Sequence, residues 1–273
     1  MAQTPPVLRP TCYDGSMTKS LKLADYIAVV SDFDDTILDN GGVTNGLHER
    51  SRFDAIRAVG ARQNLVALTE LPLELNRVAF LNASVHSVEG AFWWLLVQRG
   101  VVLGDAPFDA QHPLVQELVA AKDVSYRKLL ETEAKEVPGA HAFFKKLHEQ
   151  GFAGKLAIAS TGQRADILRF LDVHGFNEYF PGEHIIAKED SEHPKPDPDS
   201  FRKAIQSVDI SQAEGSRILA FEDDPRGIEA AKALGLYTCA VTTRFTAAQL
   251  LDRPIKPDFI AADFNEYIQI FNL

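Results

Sequence analysis

Residues 26–40, YIAVVSDFDDTILDN, decide how the chain is read. The apolar run at 27–30 has the β-branched bias of a buried strand. It leads directly into Asp32, Phe33, Asp34, Asp35 and Thr36. Burying one carboxylate at a strand end is costly, and three within four residues also repel one another. A bound cation, or chemistry that uses the charge, relieves that cost.

Downstream, DNGGVTNG reads as a turn or hinge, being dense in Gly and Asn. From residue 47 to about 135 the apolar spacing is helical. Phe53, Ile56 and Val59 share one side of a helix over 48–59, and residues 84–99 form a second helix that Gly100 ends. A third runs from 113 to 135 and stops before Val137, Pro138 and Gly139. Strand and helix then alternate. Strands are expected at 155–159, 185–187, 217–221, 237–241 and 258–261, and helices at 140–150, 163–174, 199–207 and from Pro225 to the stop at Gly235. This order predicts an α/β fold, a Rossmann-like parallel sheet covered on both faces, with ligands at the carboxyl ends of its strands. The helical block is an insertion between the first strand and the rest. The expected division is a flexible leader at 1–24, a core of 25–40 with 137–273, and a helical cap at 41–136.

Composition narrows the function. With 273 residues, 45% of them hydrophobic, the chain is long enough for a sizeable core. A net charge of −10 argues against a nucleic-acid or anionic-membrane surface. No apolar run reaches transmembrane length. Cys12 and Cys239 have neither ligand spacing nor the look of a disulfide framework, so a reducing, cytoplasmic setting is expected. The first residues lack a hydrophobic signal core.

Four strand-end or loop sites carry polar side chains: Asp32 with Asp34, Ser160, Lys195, and Glu222 with Asp223. They offer hard oxygen ligands for Mg²⁺, a carboxylate nucleophile, a second carboxyl for proton transfer, and a hydroxyl and an ammonium for phosphate oxygens. Phosphoryl transfer draws on this set, since positioning and charge neutralisation do most of its catalysis.

Here the sequence resembles a known family, the haloacid dehalogenase-like superfamily in its phosphatase branch, of the phosphoglycolate phosphatase and β-phosphoglucomutase type. DFDDT is similar to its first motif, LAIAST to its second, KPDPDSF to its third and FEDDPRGIEAAKALGL to its fourth; the tail PDFIAADFNEY resembles its last strand and helix. The resemblance covers residues 26–40 and 137–267, and the insertion only by position. It implies that Asp32 is the nucleophile, forming an aspartyl-phosphate, and that Asp34 protonates the leaving oxygen and activates water. It implies Mg²⁺ held by Asp32, the Asp34 carbonyl and Asp223, with Glu222 acting through the metal's water shell. Ser160, with Thr161 beside it, and Lys195 would bind the substrate's phosphoryl oxygens, and the insertion would close over it. Asp35, Pro194 and Asp224 depart from the usual residues and remove no needed group.

The expected activity is Mg²⁺-dependent hydrolysis of small phosphorylated metabolites. The alternatives are a phosphomutase of the β-phosphoglucomutase type and a silent binding protein that keeps the fold; dehalogenation does not require the acidic pair. Bland readings stand beside these. Asp35 and Thr36 suit a turn, Ser160 or Thr161 a helix cap, and Asp224 an N-cap before Pro225. Trp93 and Trp94 are expected to pack the cap. His48 and Arg52, one helical turn apart, are candidates to face a substrate, and Arg164 to reach an anion. His86, His112 and His141 show no metal spacing.

Overall fold

A computed structural model describes residues 21–41, 45–85 and 87–273. They divide into two compact units, residues 21–39 with Lys135–Leu273, and Asn40–Ala134. Residues 1–20 of the expected leader, residues 42–44 of the expected hinge, and His86 lie outside the described part. Leu21 is buried, and Leu23–Asp25 makes one 3-10 turn before the first strand.

That strand, β1 (Ala28–Ser31), is buried throughout, and β2 (Leu38–Asp39) follows it. The unit from Asn40 to Ala134 is helical, comprising α1 (Leu47–Arg62), α2 (Val66–Thr69), α3 (Leu73–Asn82), α4 (Val88–Gln98) and α5 (Pro113–Thr132). Its core joins Ile56 and Val59 of α1 to Leu68, Phe92, Leu96, Val115 and Leu118. Trp93 belongs to this core, edge-on to Phe108, and Trp94 packs against it. Helix α4 begins later than expected because the Ser87 hydroxyl accepts from the Gly90 N–H at 3.0 Å, capping it there. His112 caps α5 in the same way through Nδ1, which accepts from the Leu114 N–H. Arg52 does not turn outward. Its guanidinium is buried and donates to Asn76 Oδ1 at 2.8 Å and to the Asn76 carbonyl at 2.6 Å, which ties α1 to α3. Burial lowers its pKa to about 10. His48 lies flat on the ring of Tyr126, 4.4 Å between centroids.

After the insertion come β3 (Lys135–Glu136), α6 (Ala140–Leu147), β4 (Leu156–Ala159), α7 (Arg164–His174), β5 (Ile185–Ile186), α8 (Asp199–Ser207), β6 (Ile218–Glu222), α9 (Pro225–Ala233), β7 (Tyr237–Val241), α10 (Ala247–Leu251), β8 (Phe259–Ala261) and α11 (Phe264–Phe271). The expected helix 113–135 stops at Thr132 because Lys135 and Glu136 pair antiparallel with Asp39 and Leu38. Strands β5-β4-β1-β6-β7-β8 form a six-stranded parallel sheet in that order, so β1 is central.

Side chains alternate between the two sheet faces, and the faces differ. One carries Ala28, Val30, Ala157, Ala159, Ile218 and Ala220 and packs on Phe201, Ala204, Ala230 and Ala231 of α8 and α9. The other presents Phe221, whose ring meets Phe143, Phe144, Phe264 and Tyr267 from α6 and α11 at 5.0–6.4 Å. Burying an aromatic ring contributes roughly 1.5–3 kcal/mol each, so this face is a principal source of stability.

Candidate active site

The register of β1 against its neighbours assembles the site. Ser31 lies opposite Phe221 on β6 and opposite Ile158 on β4. The Asp32 N–H still donates to the Phe221 carbonyl at 2.9 Å, so Asp32 continues the ladder and stands level with Glu222. Strand alternation then directs both carboxylates to the small-residue face, where α8 packs. The loop leading into α8 delivers Lys195. Its ammonium lies 2.5 Å from Asp32 Oδ1, 2.6 Å from Glu222 Oε1, and 4.9 Å from the centre of the Phe201 ring. All three charged side chains are buried, with 7%, 9% and 1% of the side chain exposed for Lys195, Asp32 and Glu222.

Glu222 is seated with unusual closeness. Its Oε2 accepts from the Asp223 and Asp224 N–H groups at 3.0 and 2.9 Å, at the start of α9. Gly227, in the first turn of that helix, leaves the room, because a Cβ there would fall 1.6 Å from Glu222 Oε1. Asp224 is the N-cap of α9, accepting from the Arg226 N–H at 2.9 Å, and both Arg226 and Arg244 pair with it. Asp223 is buried and has one oxygen in contact with the Thr36 hydroxyl at 3.3 Å. Among the described residues its Oδ2 has no hydrogen-bond partner.

One buried ammonium faces three buried acids. Burial works against the charge on Lys195, but Asp32 and Glu222 outweigh it and hold the ammonium protonated beyond its ordinary range. The surplus negative charge falls on the acids. Burial drives Asp223 well above the usual carboxylate range, with Glu222, Asp32, Asp35 and Asp224 adding to the rise. Burial also raises Asp32, against the pull of Lys195. Such a site calls for a further positive charge. Asp32, Glu222 and Asp223 each offer an oxygen, these oxygens lie within 4.8 Å of one another, and one of Asp223's is otherwise orphaned. Hard carboxylate oxygens in that arrangement suit a divalent cation.

The remaining candidates surround this cluster. Ser160 follows β4, is buried, donates its N–H to the Ile186 carbonyl, and accepts at Oγ from the Gly162 N–H at 2.9 Å. The half-buried Asp34 approaches the same turn. A Cβ on Gly162 would lie 3.1 Å from Asp34 Oδ2 and 3.2 Å from Ser160 Oγ. Thr161 is exposed. Asp35 has φ +58°, a left-handed turn conformation, and its carbonyl accepts from the Thr243 hydroxyl. Arg164 does not reach outward to an anion: its guanidinium faces Asp190 at 2.6 Å and the carbonyls of Gly182 and Ile185. Its N–H, the first of α7, is taken by Glu189 at 3.0 Å.

A family model for haloacid dehalogenase-like hydrolases matches residues 26–235, which includes Asp32, Asp34, Ser160, Lys195, Glu222 and Asp223. The chain belongs to the haloacid dehalogenase-like hydrolases. Among its curated relatives is pyrophosphatase PpaX of Halalkalibacterium halodurans, 29% identical over 132 residues, which is 48% of this chain and 58% of that protein. The chain therefore spans little more than half the length of this relative. Similar solved structures include a family IA variant 3 hydrolase from Entamoeba histolytica, with TM-score 0.67 and 20% identity, covering 90% of this chain and 97% of that one. Another is CbbY from Rhodobacter sphaeroides in complex with phosphate, with TM-score 0.62 and 20% identity, covering 90% and 99%. At these identities the two structures speak for the fold.

Several parts of this candidate site escape sequence reasoning. Thr36, read as a turn residue, contacts Asp223 across 187 positions. Gly227 sits within the fourth motif and Gly162 directly follows the second, yet only the folded chain reveals which carboxylate each admits. Thr243 had no signal, since it bonds to a carbonyl of a distant segment. Among the described residues no helix is long and apolar enough to cross a membrane.

Proposed function

We propose that this hydrolase is a divalent-cation-dependent phosphatase of small phosphorylated metabolites, with Asp32 as nucleophile. The observation that carries this reading is the buried group of Asp32, Lys195, Glu222 and Asp223, three acids against one ammonium, with an orphaned Asp223 oxygen. Relatives named as a pyrophosphatase, and a fold neighbour crystallised with phosphate, agree with phosphoryl chemistry.

In this reading an Asp32 oxygen attacks phosphorus in line with the leaving oxygen. The P–O bond to the alcohol breaks as the aspartyl-phosphate forms. Asp34 gives its proton to the departing oxygen, then takes one from the water that hydrolyses the acyl phosphate and returns Asp32. Lys195 and Ser160, with Thr161 at the exposed edge of the turn, would bind phosphoryl oxygens. Asp32, the Asp34 carbonyl and Asp223 would hold Mg²⁺, with Glu222 through its water shell. The ion would neutralise charge on the transferring group. The division into a leader at 1–24, a core of 25–40 with 137–273 and a helical cap at 41–136 belongs to the same proposal. The cytoplasm, where such metabolites are made, is the compartment that fits it.

The test is phosphate release, with and without Mg²⁺, across pyrophosphate, phosphoglycolate, sugar phosphates and bisphosphates, nucleotides and an aryl phosphate. Metal-dependent release that Asp32→Asn abolishes is the expected result. Binding of Mg²⁺ with no release from any ester would turn the reading toward a silent binding protein, and retention of phosphate on a bisphosphate-primed sugar toward a mutase.

A further inference from the structure

Arg164 and Asp190 stand outside the catalytic cluster, yet they join the two segments that would grip the phosphoryl group. The first segment is the Ser160–Thr161–Gly162 turn. The second is the run from the end of β5 to Lys195. Between them lie several cross-links within a few residues. Lys188 donates its N–H to the Gly162 carbonyl at 2.9 Å, and Ser160 donates to the Ile186 carbonyl at 2.8 Å. Glu189 accepts from the Arg164 N–H at 3.0 Å. The Arg164 side chain then reaches the Gly182 carbonyl at 3.0 Å, the Ile185 carbonyl at 2.5 Å and Asp190 Oδ2 at 2.6 Å. The same Asp190 oxygen accepts from the Ala187 N–H at 2.8 Å. On its far side the Asp190 carbonyl takes a bond from Lys203 of α8 at 2.8 Å, and the Glu192 N–H donates to Asp199 at the start of that helix.

We infer that Arg164 and Asp190 are positioning residues, a strap that sets the separation between the Ser160 turn and Lys195 and so shapes the phosphate seat. The inference rests on the phosphatase reading above. Both side chains are about one-third exposed, so their attraction alone adds little to stability. Their value is geometric. A guanidinium is a rigid fork, and here one fork fixes two carbonyls and a carboxylate at once. Its charge is matched by Asp190 and three of its N–H groups are taken by the Gly182 and Ile185 carbonyls and Asp190, so in this inference it acts on an anion through the segments it holds. A phosphate seat is sensitive to such displacement, because a shift of about 1 Å in a positioned group costs up to about a hundredfold in rate.

The experiment measures calorimetric binding of inorganic phosphate, in the presence of Mg²⁺, together with kcat and KM on the best ester. The full chain is compared with Arg164→Ala, Asp190→Asn, the double variant and Arg164→Lys. Each single change is expected to weaken phosphate binding by about tenfold and to raise KM more than it lowers kcat. The double variant should be no weaker than the worse single one, because the two act as a unit. Arg164→Lys should recover part of the affinity, since lysine can meet Asp190 but not both carbonyls as well. Phosphate affinity unchanged in both single variants would overturn the inference, as would strictly additive losses; a purely structural role would lower the unfolding midpoint and leave the affinity alone. If Arg164→Ala fails to fold, Asp190→Asn and Arg164→Lys decide by the same criteria. An unaltered chain that neither binds phosphate nor hydrolyses any ester would overturn the phosphatase reading and this inference with it. That outcome is distinct from a binding-competent chain indifferent to the substitutions.

Discussion

Gly227 backs the carboxylate of Glu222 so closely that a methyl group on its α-carbon would stand 1.6 Å from Oε1. That contact defines where Glu222 can be, and Glu222 in turn holds Lys195 and the first N–H groups at the start of α9. Gly227→Ala must therefore expel the glutamate or push α9 from the sheet. We expect a loss of about 3 kcal/mol, at the upper end of ordinary overpacking, and a loss of Mg²⁺ binding. Urea unfolding and calorimetry with Mg²⁺ check this; wild-type behaviour in both would show that Glu222 is free to move.

Lys195→Met removes the ammonium from a buried group of acids in which Asp32, Glu222 and Asp223 remain. Leaving a buried charge without its partner costs about 3–5 kcal/mol. The variant should be destabilised by that order at neutral pH, and Mg²⁺ should restore part of the loss. A variant as stable as the parent at neutral pH without Mg²⁺ would mean that the pairing is not made in solution.

Asp32→Asn should abolish turnover while leaving stability within about 1 kcal/mol of the parent. The amide has nearly the volume of the carboxyl, and its oxygen can still accept from Lys195, which lies 2.5 Å from Asp32 Oδ1, so packing and the hydrogen bond are both kept. Lys195 keeps Glu222 as a partner. Residual turnover near the parent rate would remove Asp32 from the nucleophile's place.

The stabilising effect of Mg²⁺ should grow as pH rises. Asp223 titrates in the folded chain well above its unfolded value, so between those two pH values the folded form holds the extra proton. Without a cation, the contribution of this group is full below the unfolded value and is lost as pH climbs through the folded one. A cation that takes the place of the proton reverses that loss. Melting temperatures with and without Mg²⁺ at about pH 5.5 and about pH 8 should differ most at the higher pH. An increment that is equal at both, or larger in acid, would contradict the role given to Asp223.

The strands, their order along the chain and the acids at their ends were legible in residues 26–40 and 155–261 because each carries local chemistry: a β-branched run, a turn, a capped helix. Helix α8 over Asp199–Ser207 and strand β7 over Tyr237–Val241 match the expected bounds. What was not legible depends on pairing between distant segments. The β2–β3 ribbon is two residues on each side, too short for any alternation, and it exists only because the two ends of the insertion meet. Helices α2 and α3 merged into one long helical expectation. An arginine just after a Ser-Thr-Gly turn suggests an anion ligand, but three acceptors from residues 182–190 capture Arg164 instead. Arg52 similarly yielded to Asn76, 24 positions away.

The unequal faces of the sheet have a consequence for how this site can change over time. On the α8–α9 side the strands and helices meet largely through alanines, Ala28, Ala157, Ala159, Ala220, Ala204, Ala230 and Ala231, all of them fully buried. These side chains act as shims. Their thinness sets how near the backbone of α8, and with it the Lys195 loop, lies to the strand ends that carry Asp32 and Glu222. Enlarging Ala157, Ala159 or Ala204, where α8 packs on the sheet, by a methylene or two would shift Lys195 relative to the carboxylates that β1 and β6 hold. The reach of the chemistry is thus written partly in the smallest residues of the core, and a lineage can retune it from beneath, without touching a single charged atom.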